Sequence, residues 1–139
     1  MITYPIRFSG ESVATPGLGS TWETSASGMA VTCAVPKEFE GIGGELSPED
    51  FYLLALQNCF VATFKVYAHY SNFTFEALKV RAELDVDKSD ENQKPMMKEV
   101  RLNIELVGPA NESKGRLLIK KTMENGFILQ SVKTKVTLL

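Results

Sequence analysis

The sequence has few of the residues from which metal sites and disulfide frameworks are built. Its 139 residues include two cysteines, Cys33 and Cys59, and one histidine, His69. Two cysteines are too few for a disulfide scaffold, and neither lies in a CxxC motif or in a Cys/His cluster with metal-ligand spacing. We therefore expect no metal and no cofactor, and we expect a reducing compartment.

An excess of charge of one sign is lacking as well. The chain carries 15 basic and 17 acidic residues, a net charge of −2, and the two signs are interleaved. Nucleic acids and anionic membranes are bound by concentrated basic patches, so neither is expected as a partner. The N-terminal sequence MITYPIRFSG has no signal-peptide pattern, and the longest uncharged run is shorter than the roughly 20 apolar residues of a membrane span. The sequence therefore predicts a cytoplasmic protein.

The order of periodic segments predicts an α+β fold. The length fits one domain over residues 1–139, with no linker or internal repeat. Alternating segments predict strands, and helical patterns predict a helix from Ser47 to about Tyr70 and a second one over 112–125. The expected strands cover residues 2–8, 29–35, 77–87, 97–106 and 130–139, and residues 9–28 are expected to form a turn or hairpin. The order β-β-α-β-β-α-β, with one-sided strands, favours mainly antiparallel sheets with helices on one face.

The first helix is long, central and apolar all round. Ser47 fits its N-cap, Pro48 its first turn, and Glu49 and Asp50 the positive end of its dipole. The helix then contains an uncharged run whose apolar side chains point in several directions: Phe51, Leu53, Leu54, Leu56, Phe60, Val61 and Phe64. A small sheet and one further helix would not enclose them, so a homodimer with this helix at its centre is the simplest prediction. Burial within a monomer is the alternative.

Cys59 lies in the middle of this helix, and the sequence leaves its role open. A free cysteine is often a small buried hydrophobe, and that interpretation competes with a reactive thiol. The neighbouring amides of Gln57 and Asn58 indicate a small polar pocket, because buried amides need partners. Cys33 alternates with the apolar residues Met29, Val31 and Val35, which favours core packing.

The segment SPEDFYLLALQNCF, residues 47–60, resembles the signature of the OsmC/Ohr family, the osmotically induced and organic-hydroperoxide-resistance proteins. In that family a P-E segment leads into an apolar helix that carries the first cysteine. The segments AVPKEFEGIGGELSPE, ELVGPANES and SVKTKVTL agree in order and spacing, so the resemblance extends over nearly the whole chain.

The resemblance implies an OsmC-like fold, an entwined homodimer with active sites at the subunit interface, and reduction of organic hydroperoxides by a pair of cysteines. Cys59 matches the first, peroxidatic cysteine, and Glu49 matches the carboxylate that works with an arginine to activate the thiol. Glu49 and Cys59 are ten residues apart, about 15 Å along a helix, so the pairing would have to cross the interface.

Two parts of the family pattern are missing. The second, resolving cysteine is replaced by Gly126, which we interpret as a helix C-cap that tolerates left-handed backbone. The family's arginine has no counterpart in VATPGLGSTWETSASG, and Trp22 lies near its place.

Two functions are therefore expected. The first is a one-cysteine peroxidase in which Cys59 is oxidised to sulfenic acid by a small organic hydroperoxide and is resolved by an external thiol. The alternative is a catalytically inactive relative whose interfacial pocket binds an apolar small molecule.

Overall fold

The computed structural model describes residues 2–139 and divides into two compact units, Met1–Phe51 and Tyr52–Leu139. The chain is α+β, as predicted. Its elements in order are β1 (Gly10–Val13), β2 (Trp22–Ala26), β3 (Met29–Cys33), a 3-10 turn (Lys37–Phe39), α1 (Pro48–Tyr70), β4 (Ala77–Lys88), β5 (Pro95–Val107), α2 (Glu112–Asn125), α3 (Phe127–Ser131) and β6 (Lys135–Leu138). The assignment of one domain to residues 1–139 stays a prediction.

The first unit contains a three-stranded antiparallel sheet in the order β1-β2-β3. Strands β2 and β3 form a hairpin around Ser27 and Gly28, both of which have positive φ. The predicted strand over residues 2–8 is wrong, because that segment has no regular structure and its apolar side chains are exposed. A strand needs a neighbour to pair with, and the strand that pairs with β2 begins only at Gly10.

Helix α1 has the predicted bounds because its start is fixed by local hydrogen bonds. Asp50 N donates to Ser47 Oγ (3.1 Å), and Ser47 N donates to Asp50 Oδ2 (2.9 Å), which is a reciprocal cap of the kind that starts helices. After Tyr70, Asn72 adopts positive φ and Phe73 N donates to Ala68 O (2.8 Å), so the chain leaves the helix in a left-handed turn.

The second unit contains the hydrophobic core. Strand β4 pairs with β5 in an antiparallel ladder, and β6 pairs with β5 in a parallel one. Phe60 and Phe64 of α1 are fully buried, as are Val100 and Leu102 of β5. The Phe64 ring also meets the edge of Phe75 with centroids 5.4 Å apart.

Two details of the predicted strands differ in this unit. The alternation predicted over residues 77–87 breaks at Val86, which is 37% exposed, because the ladder shifts register between Asp85 and Val86. Residues 130–134 were expected to belong to the last strand, but α3 runs to Ser131, and β6 begins at Lys135.

The length and composition of α1 would allow it to cross a membrane, a criterion that core helices of soluble proteins also meet. Only 28% of its most apolar 18-residue window is buried within the single chain.

Candidate functional site

The sulfur of Cys59 lies against the backbone of Gly126. Cys59 is in the middle of α1 and is 9% exposed, while Gly126 links α2 to α3. A Cβ atom built on Gly126 would lie 3.1 Å from Cys59 Sγ and 2.8 Å from Leu129 Cδ1. The fold therefore brings together the predicted reactive thiol and the position that matches the family's second cysteine.

Position 126 is suited to glycine because there is too little room for a side chain, and not because of its backbone conformation. The expectation of a left-handed C-cap is wrong, since Gly126 has φ −62° and ψ 128°, an extended conformation open to any residue. Its N–H caps α2 by donating to Thr122 O at 3.0 Å. Any side chain here would press on Cys59 and Leu129, so the glycine permits the close approach of the two segments.

A hydroxyl group faces the sulfur from within α1. Thr63 Oγ1 lies 3.9 Å from Cys59 Sγ, within the reach of a hydrogen bond to sulfur. The sequence analysis did not single out Thr63, although its spacing of four residues from Cys59 on a predicted helix places both side chains on one face. That spacing was the available signal.

Glu49 lies in the first turn of α1, between Ser47 and Asp50, which form the cap. Within residues 2–139 the Glu49 carboxylate has neither a hydrogen bond nor an ion pair, although Asp50 is engaged by Ser47. Because α1 is continuous from Pro48 to Tyr70, the ten-residue separation from Cys59 corresponds to about 15 Å. Glu49 is therefore an available carboxylate, and the helix does not bring it to its own chain's Cys59.

The amides beside Cys59 do not form a buried polar pocket in the single chain. Asn58 is exposed, and its Nδ2 donates to Leu54 O at 2.9 Å, the carbonyl one turn earlier. The hint drawn from Asn58 in the sequence is thus not supported, because its side chain satisfies the helix backbone.

The first unit holds an uncharged cavity of about 530 Å³. Its lining is Ser12, Trp22, Thr24, Ser25, Ala26, Met29, Val31, Cys33, Pro48 and Phe51. Trp22 and Cys33 are opposite each other across the β2–β3 ladder. Burial, followed by the negative charge of Glu45, raises the pKa of the Cys33 thiol, which keeps it in the protonated, unreactive form.

Comparison with known proteins finds one matching family model and several similar solved structures. The model of the family described as OsmC-like protein matches residues 41–138. No match was found among curated protein sequences. Among solved structures, an OsmC-like protein of unknown function from Vibrio cholerae superposes with a TM-score of 0.86 at 16% identity, covering 97% of this chain and 99% of that one.

Two further structures carry names that mention hydroperoxide resistance. The organic hydroperoxide resistance protein OsmC from Legionella pneumophila has a TM-score of 0.75 at 20% identity and covers 96% of this chain and 97% of its own. The organic hydroperoxide resistance protein OhrB of Bacillus subtilis has a TM-score of 0.72 at 13% identity, with 94% and 96% covered. With the family model matching most of its length, this chain belongs to the OsmC-like protein family and has the OsmC-like fold.

Proposed function

We propose that this protein reduces organic hydroperoxides with a single cysteine, Cys59. The observation that carries the proposal is the contact of Cys59 Sγ with Gly126, the position matched to the family's second cysteine. The related proteins from Legionella pneumophila and Bacillus subtilis are named for organic hydroperoxide resistance. The contact with Gly126 supports the choice of Cys59 over Cys33 as the reactive thiol.

The proposed cycle begins with attack of the Cys59 thiolate on one peroxide oxygen. The O–O bond breaks, the sulfur becomes sulfenic acid, and the organic alkoxide leaves as the alcohol after taking up a proton. Gly126 offers no sulfur, so an external thiol attacks the sulfenic acid, which releases water and leaves a mixed disulfide. A second external thiol then restores Cys59 and leaves as the oxidised disulfide.

We propose that the working unit is an entwined, cytoplasmic homodimer in which Glu49 of one chain serves Cys59 of the other. The Glu49 carboxylate has no partner among residues 2–139, and its place on α1 separates it from the thiol of its own chain. Apolar side chains are also left uncovered in both units, among them Phe8 (87% exposed) and Phe127 (76% exposed). A second copy would cover such surfaces.

Turnover of cumene hydroperoxide with a small dithiol reductant tests the proposal. We expect activity in the parent protein and in Cys33→Ser, and none in Cys59→Ser. A dimedone-type label should add its mass to Cys59 after one equivalent of peroxide. Equal turnover of the parent and Cys59→Ser would refute the catalytic assignment, and a stable monomer in sedimentation would refute the dimer.

The cavity of the first unit favours a second candidate function, a non-catalytic protein that binds an apolar small molecule. The lining has no charged side chain and includes the large apolar surfaces of Trp22, Met29 and Phe51. Cavities of this size and character hold small ligands. Binding of an apolar fluorescent probe that is unaffected by Cys59→Ser and lost in Trp22→Ala, without any peroxide turnover, would favour this function.

A further inference from the structure

The hydroxyl of Thr63 is bonded differently from those of Thr122 and Ser131, which also lie within helices. Thr122 Oγ1 donates to Leu118 O at 2.7 Å, and Ser131 Oγ donates to Phe127 O at 2.6 Å. In each case the acceptor is the carbonyl four residues earlier, which is the usual partner of a helical hydroxyl. Within residues 2–139, Thr63 Oγ1 makes no such bond, and the group it faces is Cys59 Sγ at 3.9 Å.

We propose that Thr63 is a positioning residue that donates a hydrogen bond to the ionised sulfur of Cys59. The inference deepens the proposed function and rests on it for its catalytic meaning. A thiolate is only an acceptor, so ionisation of Cys59 requires the Thr63 hydroxyl to turn its proton toward the sulfur. A hydrogen bond to an ionised group is shorter and stronger than one between neutral groups, so the 3.9 Å separation should contract when the thiolate forms.

Residues 55–63 of α1 and helix α3 offer no charged side chain that would compete with this hydroxyl. Residues 55–63 include no titratable side chain except Cys59 itself, and α3, which begins directly after Gly126, has none. Residues 13–28, where the family pattern has its arginine, contain none. The hydroxyl of Thr63 thus supplies the donor that stabilises the charged form of the sulfur.

The test uses Thr63→Val and Thr63→Ser, each combined with Cys33→Ser so that Cys59 is the one thiol measured. Valine keeps the branched shape without the hydroxyl, and serine keeps the hydroxyl without the methyl group. The rate of alkylation by iodoacetamide is followed against pH, and thiolate absorbance in the far ultraviolet gives the same titration without a reagent. Thr74→Val, the same change at an exposed loop position, is the matched control.

We expect Thr63→Val to move the midpoint of both pH profiles upward and to slow alkylation at neutral pH by a few-fold, because less of the thiol is ionised there. The plateau rate at high pH should not fall, because the thiolate of a less acidic thiol is at least as nucleophilic. A merely structural disturbance that blocks access to the sulfur would instead lower the rate at every pH. Thr63→Ser and Thr74→Val should match the parent. A Thr63→Val profile equal to the parent's, or a Thr63→Ser profile equal to that of Thr63→Val, would overturn the proposal.

The outcome is separable from that of the proposed function. A shifted titration in Thr63→Val together with no peroxide turnover in the parent would uphold the hydrogen bond and refute the peroxidase. Turnover in the parent with an unshifted titration would refute the role of Thr63 and leave the peroxidase in place.

Discussion

Replacement of Gly126 by cysteine should restore a cysteine pair without moving the backbone. A Cβ atom at position 126 would lie 3.1 Å from Cys59 Sγ. A disulfide with an S–S length of about 2.04 Å holds each Cβ about 3 Å from the opposite sulfur, so the present geometry already suits the bond. The backbone at Gly126 is extended, with φ −62° and ψ 128°, and any L-residue adopts it without strain.

The expected change in the free energy of unfolding follows from two opposed effects. The cross-link would close a loop of roughly 70 residues, which in the chain-entropy model destabilises the unfolded state by about 4 kcal/mol. Against this, the new Cβ would lie 2.8 Å from Leu129 Cδ1, and such overpacking costs about 1–3 kcal/mol. We expect the reduced variant to be less stable than the parent, and the oxidised variant to be about 4 kcal/mol more stable than its reduced form.

The assay compares Gly126→Cys with Gly126→Ser, both combined with Cys33→Ser. Serine adds the same Cβ without a sulfur, so it measures the overpacking alone. After one equivalent of hydroperoxide, the cysteine variant should lose both free thiols and run as a single chain on a non-reducing gel, and its urea midpoint should fall on addition of dithiothreitol. Two free thiols in a folded, peroxide-treated Gly126→Cys protein would refute the proximity of the two positions.

Three further predictions concern stability, measured by urea unfolding at fixed protein concentration. Phe64→Ala should lower the free energy of unfolding by about 3–5 kcal/mol, because Phe64 is fully buried among other aromatic rings, and a loss below about 1 kcal/mol would contradict its core position. Asp50→Ala should cost about 1 kcal/mol through loss of the reciprocal cap with Ser47, and no change would show that the cap is dispensable. The hydrogen bond from Arg101 lowers the pKa of Asp85, so this pair stabilises the fold above the ordinary pKa of aspartate and ceases to do so as pH falls through the lowered value. Arg101→Met should therefore be less stable than the parent near neutral pH and should approach the parent in acid, whereas a difference independent of pH would contradict the linkage.

The helix that carries Cys59 could be predicted almost to the residue because its signals are local. Ser47, Asp50 and the apolar run define the start, and the polar exit after Tyr70 defines the end. The strands β4 and β5 could be predicted equally well, since each buries one face and its sequence alternates. Such patterns depend only on neighbours within a few residues, so the sequence carries them directly.

Features that depend on partners far along the chain could be predicted less well from the sequence. The segment over residues 2–8 alternates like a strand, but the β1–β2 ladder begins only at Gly10. Hydrophobic periodicity also did not predict the parallel pairing of β6 with β5 or the short helix α3. The contact between Cys59 and Gly126 joins positions on different elements, and only the resemblance to a family with two cysteines pointed to it.

In the proposed one-cysteine cycle, the glycine at position 126 also limits which reductant can resolve an oxidised Cys59. In a two-cysteine cycle the resolving thiol lies inside the fold, so the disulfide can form before any reductant arrives. In this chain Gly126 fills that place with backbone, and the Cys59 residue is only 9% exposed. With so little of Cys59 exposed, we expect a small thiol to reach its sulfur more readily than a cysteine on the surface of a folded protein. In the proposed cycle, glycine at position 126 therefore favours a small-molecule thiol as the reductant.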